Sequence, residues 1–200
     1  MIILGITGPT GSGKTTALQC IRARGGCVLD LDAVYHALLA TNEDLLSDLD
    51  ARFPGVIQDG VLDRKALGNI VFADPQALAD LNAITETYIQ AETDRLLTQA
   101  ESRGVPLAAI DAINLLKTDL PRRCHCTIAV TAPVETRVKR LMARDGISEE
   151  YARLRISAQE PNEYFEQNCD HTLFNNADSP EEFALRCNQL LDTILHTGKD

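Results

Sequence analysis

The stretch Gly8-Pro9-Thr10-Gly11-Ser12-Gly13-Lys14-Thr15 decides the fold of this 200-residue chain. It matches G-x-x-x-x-G-K-[ST], in which glycines let backbone N–H groups turn toward phosphate oxygens. The apolar residues 2–7 before it predict a buried strand. Residues 16–22 after it predict a helix, whose N-terminus favours anions. An ordinary glycine-rich turn is the alternative, but the flanking strand and helix favour a triphosphate site.

Two side chains at the end of this phosphate loop carry specific chemistry. Lys14 can reach the β- and γ-phosphates of a nucleotide, and the Thr15 hydroxyl can hold Mg²⁺. The predicted nucleotide-binding residues of this segment are Gly8, Pro9, Thr10, Gly11, Ser12, Gly13, Lys14, Thr15 and Thr16.

Composition and charge restrict the possible partners. The length and the 44% hydrophobic content predict one domain with a core, with room for an insert. A net charge of −10 argues against a nucleic-acid partner, and it requires local positive charge to attract a nucleotide. The apolar start is too short and uncharged for a signal peptide, and no run approaches a membrane span. We therefore expect no nucleic-acid or membrane partner.

The six cysteines show no spacing typical of a disulfide framework, which favours reduced thiols in a cytoplasmic protein. Cys124-His125-Cys126 suggests a metal site, but zinc-binding pairs usually have about two to four intervening residues. We interpret this segment as structural, with a metal site as the alternative.

Carboxylates end two further predicted strands, 27–30 and 105–111. Ligands of open α/β sheets bind at the carboxyl ends of strands. Either Asp30 or Asp32 can cap the helix that follows, and we assign the chemistry to Asp32. Asp111 can be the acid that orders Mg²⁺ and its waters, with a capping or solvated aspartate as the alternative.

Between Tyr35 and about Gly104 the sequence shows no strand signal. It predicts helices over 42–53 and from Asp74-Pro75 to Arg103, with a turn at Asp59-Gly60. A simple crossover does not need so many residues. We therefore predict a helical, acceptor-binding insert over 37–104, between core segments 1–36 and 105–200.

The C-terminal half contains an arginine-rich region. Arg137, Arg140 and Arg144 share one face of a helix predicted from Pro133 to near Gly146, without interleaved acids. We predict a lid over about 143–160 that closes over phosphates, with a solvated charged face as the alternative.

Further local signals complete the fold prediction. Ser148 is the predicted cap of the next helix, and Ser179-Pro180-Glu181-Glu182 is a capping box for the last one. Residues 126–131 and 171–174 predict two more strands. The chain is thus predicted to be an α/β protein, a P-loop NTPase with three α/β/α layers and a five-stranded parallel sheet.

These features allow a small-molecule kinase, a GTPase-type switch or a larger ATPase module. A GTPase would carry a guanine-reading N-K-x-D-like motif, and the sequence has none. The early phosphate loop, the acidic end of strand two, the insert and the lid favour a kinase of the nucleoside-monophosphate-kinase type.

Almost the whole chain resembles the dephospho-CoA kinase family. Beside the loop, the resemblance is carried by D-x-D (30–32), G-x-L-D-R (60–64) and R-x-x-x-R-D (140–145). It also includes Leu67, 71–72, 81–84, Gln159 and 170–175. The loop alone is not specific to the family, whereas these motifs in this order are.

The resemblance implies transfer of the ATP γ-phosphoryl group to the ribose 3′-hydroxyl of dephospho-CoA, giving CoA and ADP. It implies that Asp32 accepts the proton of that hydroxyl. Lys14, Arg140 and Arg144 would stabilise the charge on the transferring group. Thr15 would hold Mg²⁺, and Asn175 would lie beside the adenine of ATP.

On the acceptor side, the resemblance implies contacts from Asp32 and Arg64, and we assign Asp111 and Lys117 to acceptor binding as well. The chain departs from the family in two places there. Glu86-Thr87 stands where His-Pro is usual, and Leu116-Lys117 stands where an apolar residue and Glu are usual. A compensating exchange of charge is one hypothesis.

Three functions remain open at this point. They are a dephospho-CoA kinase, a similar kinase for another hydroxyl acceptor, and an ATP- or CoA-binding protein without turnover. For the first, the expected small-molecule partners are ATP and dephospho-CoA, and the expected state is a monomer or weak homo-oligomer.

Overall fold

A computed structural model of the chain describes residues 1–197. The elements of these residues, in chain order, are β1 (Ile2–Thr7), α1 (Lys14–Ala23), β2 (Cys27–Asp30), α2 (Leu31–Thr41), α3 (Glu43–Arg52), β3 (Ile57–Gln58), β4 (Val61–Leu62), α4 (Arg64–Ala73), α5 (Pro75–Ser102), β5 (Leu107–Asp111), β6 (Cys126–Thr131), α6 (Val134–Asp145), α7 (Glu149–Ser157), α8 (Asn162–Asn168), β7 (His171–Phe174) and α9 (Pro180–Thr197). Two 3-10 turns, Leu115–Lys117 and Leu120–Arg123, connect β5 to β6.

The predicted five-stranded parallel sheet is confirmed, with the strand order β2-β5-β1-β6-β7. Strand β1 is central, and its Ile6 is in register with Asp111 of β5 and Ile128 of β6. The inner strands are continuous apolar runs because helices cover both faces of such a sheet. The loop that follows Thr7 starts at the carboxyl end of β1. Because β1 is the central strand, the loop lies at the middle of the carboxyl edge of the sheet.

The chain divides into two compact units, which we call unit one and unit two. Unit one comprises Met1–Val28 and the chain from Ala100 onward, and unit two comprises Leu29–Gln99. The sequence placed the boundaries of the insert at 37 and 104. The assignment of this region to acceptor binding remains a prediction.

Each unit has its own apolar cluster. In unit one, α9 packs on the sheet and on α1, and Phe183, Cys187 and Leu191 join the same cluster as Leu4 and Ile21. The cluster of unit two contains the buried residues Leu38, Leu39, Leu45, Leu49, Phe53, Val56, Leu62, Leu67, Val71 and Ala77. Residues 1–197 contain no helix with the length and apolar composition needed to cross a bilayer.

The expectation of no strand between Tyr35 and Gly104 is wrong for one short hairpin. Strands β3 and β4 pair antiparallel, with Ile57 opposite Leu62. The predicted turn Asp59-Gly60 connects them with φ values of 51° and 78°, as a two-residue hairpin turn requires. Strands of two residues are too short to show an alternating pattern, which is why the sequence did not reveal them.

Several predicted helix starts are confirmed by their hydrogen bonds. The Ser148 hydroxyl accepts from the Tyr151 N–H, and the Ser179 hydroxyl accepts from the Glu182 N–H, each at 3.2 Å. The Glu182 carboxylate in turn accepts from the N–H of Asp178, one residue before the position expected for a capping box.

Two phenylalanines of unit two differ sharply in burial, which provides a matched test of its core. Phe53 is 2% exposed and Phe72 is 87% exposed. We expect Phe53→Ala to lower the free energy of unfolding by about 3–5 kcal/mol, because it leaves a cavity among aliphatic side chains. Phe72→Ala should change it by less than about 0.5 kcal/mol. Urea unfolding measures both, and equal effects would contradict this description of the core.

Candidate nucleotide-binding site

The phosphate loop fits closely against its neighbours in unit one. Gly8, Gly11 and Gly13 all have positive φ, and Gly13 ends the loop where α1 begins. A Cβ on Gly8 would lie 2.0 Å from the carbonyl oxygen of Val130, and a Cβ on Gly13 would lie 2.3 Å from the Asn175 amide nitrogen. Residue 8 must therefore be glycine for space as well as for conformation, and a side chain at Gly13 would displace the Asn175 amide.

The carbonyl oxygens of the loop are bound by side chains from three parts of unit one. Lys14 Nζ donates to the Gly8 oxygen at 2.8 Å. Arg140 Nη1 donates to the oxygens of Gly11 and Ser12, both at 3.1 Å. Asn175 Nδ2 donates to the same Ser12 oxygen at 2.8 Å. The structure thus brings together three residues that the sequence assigned to this site.

Arg137 and Gln159 hold Thr10, a role that was not predicted for either residue. Arg137 Nε donates to the Thr10 carbonyl at 2.9 Å, and Gln159 Oε1 accepts from the Thr10 N–H at 2.9 Å. The two side chains also meet, with 3.4 Å between Arg137 Nη2 and Gln159 Oε1. The available signal was the three-residue spacing between Arg137 and Arg140, which places both on one side of α6.

Arg144 does not join the loop in this structure. Its guanidinium donates to both oxygens of Asp145, at 2.7 and 3.0 Å. Arg155 also donates to this carboxylate, and the hydrogen bonds, chiefly from Arg144, lower the pKa of Asp145 to about 2. The expectation that the arginine face has no interleaved acids is therefore wrong at Arg144.

Helix α6 packs on α7, and α7 lies within the predicted lid. Val138 and Leu141 of α6 pack with Ala152 and Ile156 of α7 in a small apolar cluster. Gly146 ends α6 in the left-handed conformation, as expected for a helix C-terminus. The closing motion and the bounds of about 143–160 remain predictions.

In unit two, Asp30 and Asp32 have different roles. Asp30 is the N-cap of α2, and its carboxylate accepts from the Ala33 N–H at 3.1 Å. Asp32 is exposed in the first turn of the same helix. The capping requirement is met by Asp30, which leaves the Asp32 carboxylate available for chemistry.

Arg64 is the second predicted acceptor residue of unit two, after Asp32. It is exposed at the start of α4. It acts electrostatically on Tyr35, which lies on the helix that carries Asp32. Burial raises the pKa of the Tyr35 phenol above its ordinary value, and the positive charge of Arg64 opposes that rise. Unit two therefore holds Arg64 near α2.

Lys117 lines a cavity of about 330 Å³ in unit one. Its Nζ lies 2.7 Å from Glu160 Oε1 and 5.9 Å from the centre of the Tyr164 ring. The other departure from the family, Glu86, accepts from Gln90 Nε2 at 3.0 Å in unit two. Gln159, which binds Thr10, lines the same cavity as Lys117.

The donor set near the loop fits a magnesium ion that is shared with phosphates. Mg²⁺ prefers oxygen ligands and keeps several waters, so it needs only one or two protein groups. Thr15 is exposed in the first turn of α1, and Asp111 ends β5 beside β1 at the same edge of the sheet.

Ser12 Oγ and Asn175 Oδ1 are buried and have no hydrogen-bond partner among the described residues.

The Cys124-His125-Cys126 segment is used in packing. His125 Nδ1 accepts from the Ile3 N–H at 3.0 Å. Burial raises the pKa of the Cys124 thiol to about 12 and that of Cys126 to about 11.

Sequence comparisons with known proteins identify one family. The model of the dephospho-CoA kinase family matches residues 2–181. A dephospho-CoA kinase of Latilactobacillus sakei subsp. sakei is 34% identical over 194 residues, which is 96% of each chain. A dephospho-CoA kinase of Thermus thermophilus is 41% identical over 163 residues, covering 81% of this chain and 77% of the relative. A crystal structure of a Thermus thermophilus protein superposes with a TM-score of 0.76 at 36% identity, covering 98% and 97% of the two chains.

Proposed function

The chain belongs to the dephospho-CoA kinase family, and on that basis we propose that it transfers the γ-phosphoryl group of ATP to the ribose 3′-hydroxyl of dephospho-CoA. The products are CoA and ADP. The observation that carries the proposal is the phosphate loop, whose carbonyl oxygens are bound by Lys14, Arg140 and Asn175. The loop lies within residues 2–181, which match the family model.

On the donor side, the backbone amides of the loop and the N-terminus of α1 bind the phosphates. Lys14 and Arg140 stabilise the charge on the transferring group, and Arg144 joins them by exchanging Asp145 for phosphate oxygens. Thr15 and Asp111 would hold Mg²⁺ and its waters, and the bound ion neutralises phosphate charge.

Adenine recognition is assigned to Asn175. Its Nδ2 binds the Ser12 carbonyl, which fixes the side chain, while its Oδ1 atom is buried without a hydrogen-bond partner in residues 1–197. A buried polar atom of this kind favours a ligand that supplies a partner.

On the acceptor side, Asp32 orients the hydroxyl and accepts its proton while the oxygen attacks the γ-phosphorus. Arg64 and Lys117 would bind the anionic part of the acceptor, and Asp111 would serve the acceptor as well as the Mg²⁺ site. Unit two provides the acceptor-binding insert. Location in the cytoplasm and a monomeric or weakly associating state complete the proposal.

An assay of ADP release tests the function. Dephospho-CoA and a panel of nucleosides and sugars are offered separately with ATP and Mg²⁺. Turnover with dephospho-CoA alone is the expected result. Turnover only with another acceptor would support a related kinase, and ATP binding without turnover would support a non-catalytic protein; either would overturn the proposal.

We expect Asp32→Asn to lower kcat by about 10²–10⁴-fold, because it removes the group that accepts the proton. The Kd for ATP should stay within about twofold, since Asp32 has no assigned role in donor binding. Asp30→Asn is the matched control, because asparagine also caps helices and kcat should stay near the wild-type value. Wild-type kcat in the Asp32→Asn variant would show that Asp32 is not the base.

We expect Lys117→Glu to raise KM for dephospho-CoA by about tenfold, because a cation is lost and a carboxylate faces Glu160. KM for ATP should not change. Lys139→Glu reverses an exposed charge elsewhere on unit one and should leave both constants unchanged. Steady-state kinetics of both variants measure this, and an unchanged or lower KM for dephospho-CoA in Lys117→Glu would contradict the acceptor role.

A further inference from the structure

We propose that Arg137 is a positioning residue for the donor nucleotide, which holds Thr10 of the phosphate loop from behind and supplies a buried positive charge to the bound phosphates. The inference rests on the nucleotide-binding part of the proposed function. It concerns a residue that the sequence pattern placed only on the arginine-bearing face of α6.

The first support is the hydrogen bonding of Thr10. Both backbone groups of this residue are bound by side chains, the C=O by Arg137 and the N–H by Gln159. Arg137 also lies against the loop at Gly11, where an added Cβ would be 3.2 Å from the Arg137 Cα. Because the N–H and the C=O of Thr10 are both held, the N–H groups of the next loop residues point in a fixed direction. This favours one position of the bound phosphates.

The second support is the charge balance of the buried guanidinium. Arg137 is 2% exposed. Within residues 1–197 its hydrogen-bond partners are neutral: the Thr10 carbonyl, Gln159 Oε1 and Asn162 Oδ1. By contrast, the surface residues Arg24 and Arg153 pair with carboxylates.

A buried charge without an opposite charge is costly, and an arriving anion would supply the missing opposite charge. Arginine keeps its charge even when buried, although burial lowers the pKa of the Arg137 guanidinium. Arg140, one turn further along α6, is half-buried and also donates to loop carbonyls, those of Gly11 and Ser12. In a chain of net charge −10, the two provide the local positive charge that a nucleotide needs.

Titration calorimetry of the full chain tests the proposal with ATP, ADP and adenosine. We expect Arg137→Gln to lower the affinity for ATP and for ADP by about tenfold and to leave the affinity for adenosine unchanged. The reason is that only the phosphates are attracted by this charge. KM for ATP should rise by the same factor, and KM for dephospho-CoA should stay constant. Arg24→Gln removes a carboxylate-paired arginine and should change neither.

Gln159→Glu provides a second variant that keeps both hydrogen bonds. The carboxylate still accepts from Thr10 and from Arg137, but it neutralises the guanidinium. We expect it to weaken ATP by about tenfold and to raise the melting temperature of the ligand-free protein. This variant decides the question if Arg137→Gln does not fold.

Wild-type ATP affinity in Gln159→Glu, or in a folded Arg137→Gln variant, would overturn the proposal. A lower melting temperature with unchanged affinity would likewise overturn it and assign Arg137 to packing alone. Since the binding experiment contains no acceptor, its outcome is independent of whether wild-type protein phosphorylates dephospho-CoA.

Discussion

The hydrogen bonds that bind the outer side of the phosphate loop are the constraint on which unit one depends. A loop that turns its N–H groups toward an anion must turn carbonyl oxygens the other way, and buried carbonyls need donors. Here the donors are Lys14, Arg137, Arg140 and Asn175. Because three of the four are cations, the groups that satisfy the backbone also create the positive potential for phosphates.

These donors lie far apart in the sequence, so they come together only when the sheet and helix α6 are formed. Asn175 follows β7, and its own N–H is bound by the Thr131 carbonyl at the end of β6. The loop is therefore connected through Asn175 to the edge strand of the sheet. The hydrogen bonds that complete the nucleotide site therefore require the folded sheet and helix α6 of unit one.

The features that could be predicted from the sequence depend on residues close together in the chain. The strands around the loop, the cap at Asp30 and the cap at Ser148 follow from patterns of a few residues. The pairs Lys117–Glu160 and Arg137–Thr10 join distant segments. The spacing of Arg137 and Arg140 indicated their shared helix face, but it did not indicate which residue Arg137 binds. Arg144 is a different case, because its partner Asp145 is the next residue in the sequence. Only the geometry showed that the Arg144 guanidinium donates to both carboxylate oxygens of Asp145.

The contact between Gly8 and Val130 has a consequence for how donor preference can evolve or be engineered. Since any side chain at residue 8 would collide with the backbone of β6, the start of the loop cannot adapt without moving a central strand. Selectivity among nucleoside triphosphates must then be altered at the rim of the site, in segments that tolerate replacement. The steric contact thus confines engineering of donor preference to the groups around the phosphate loop.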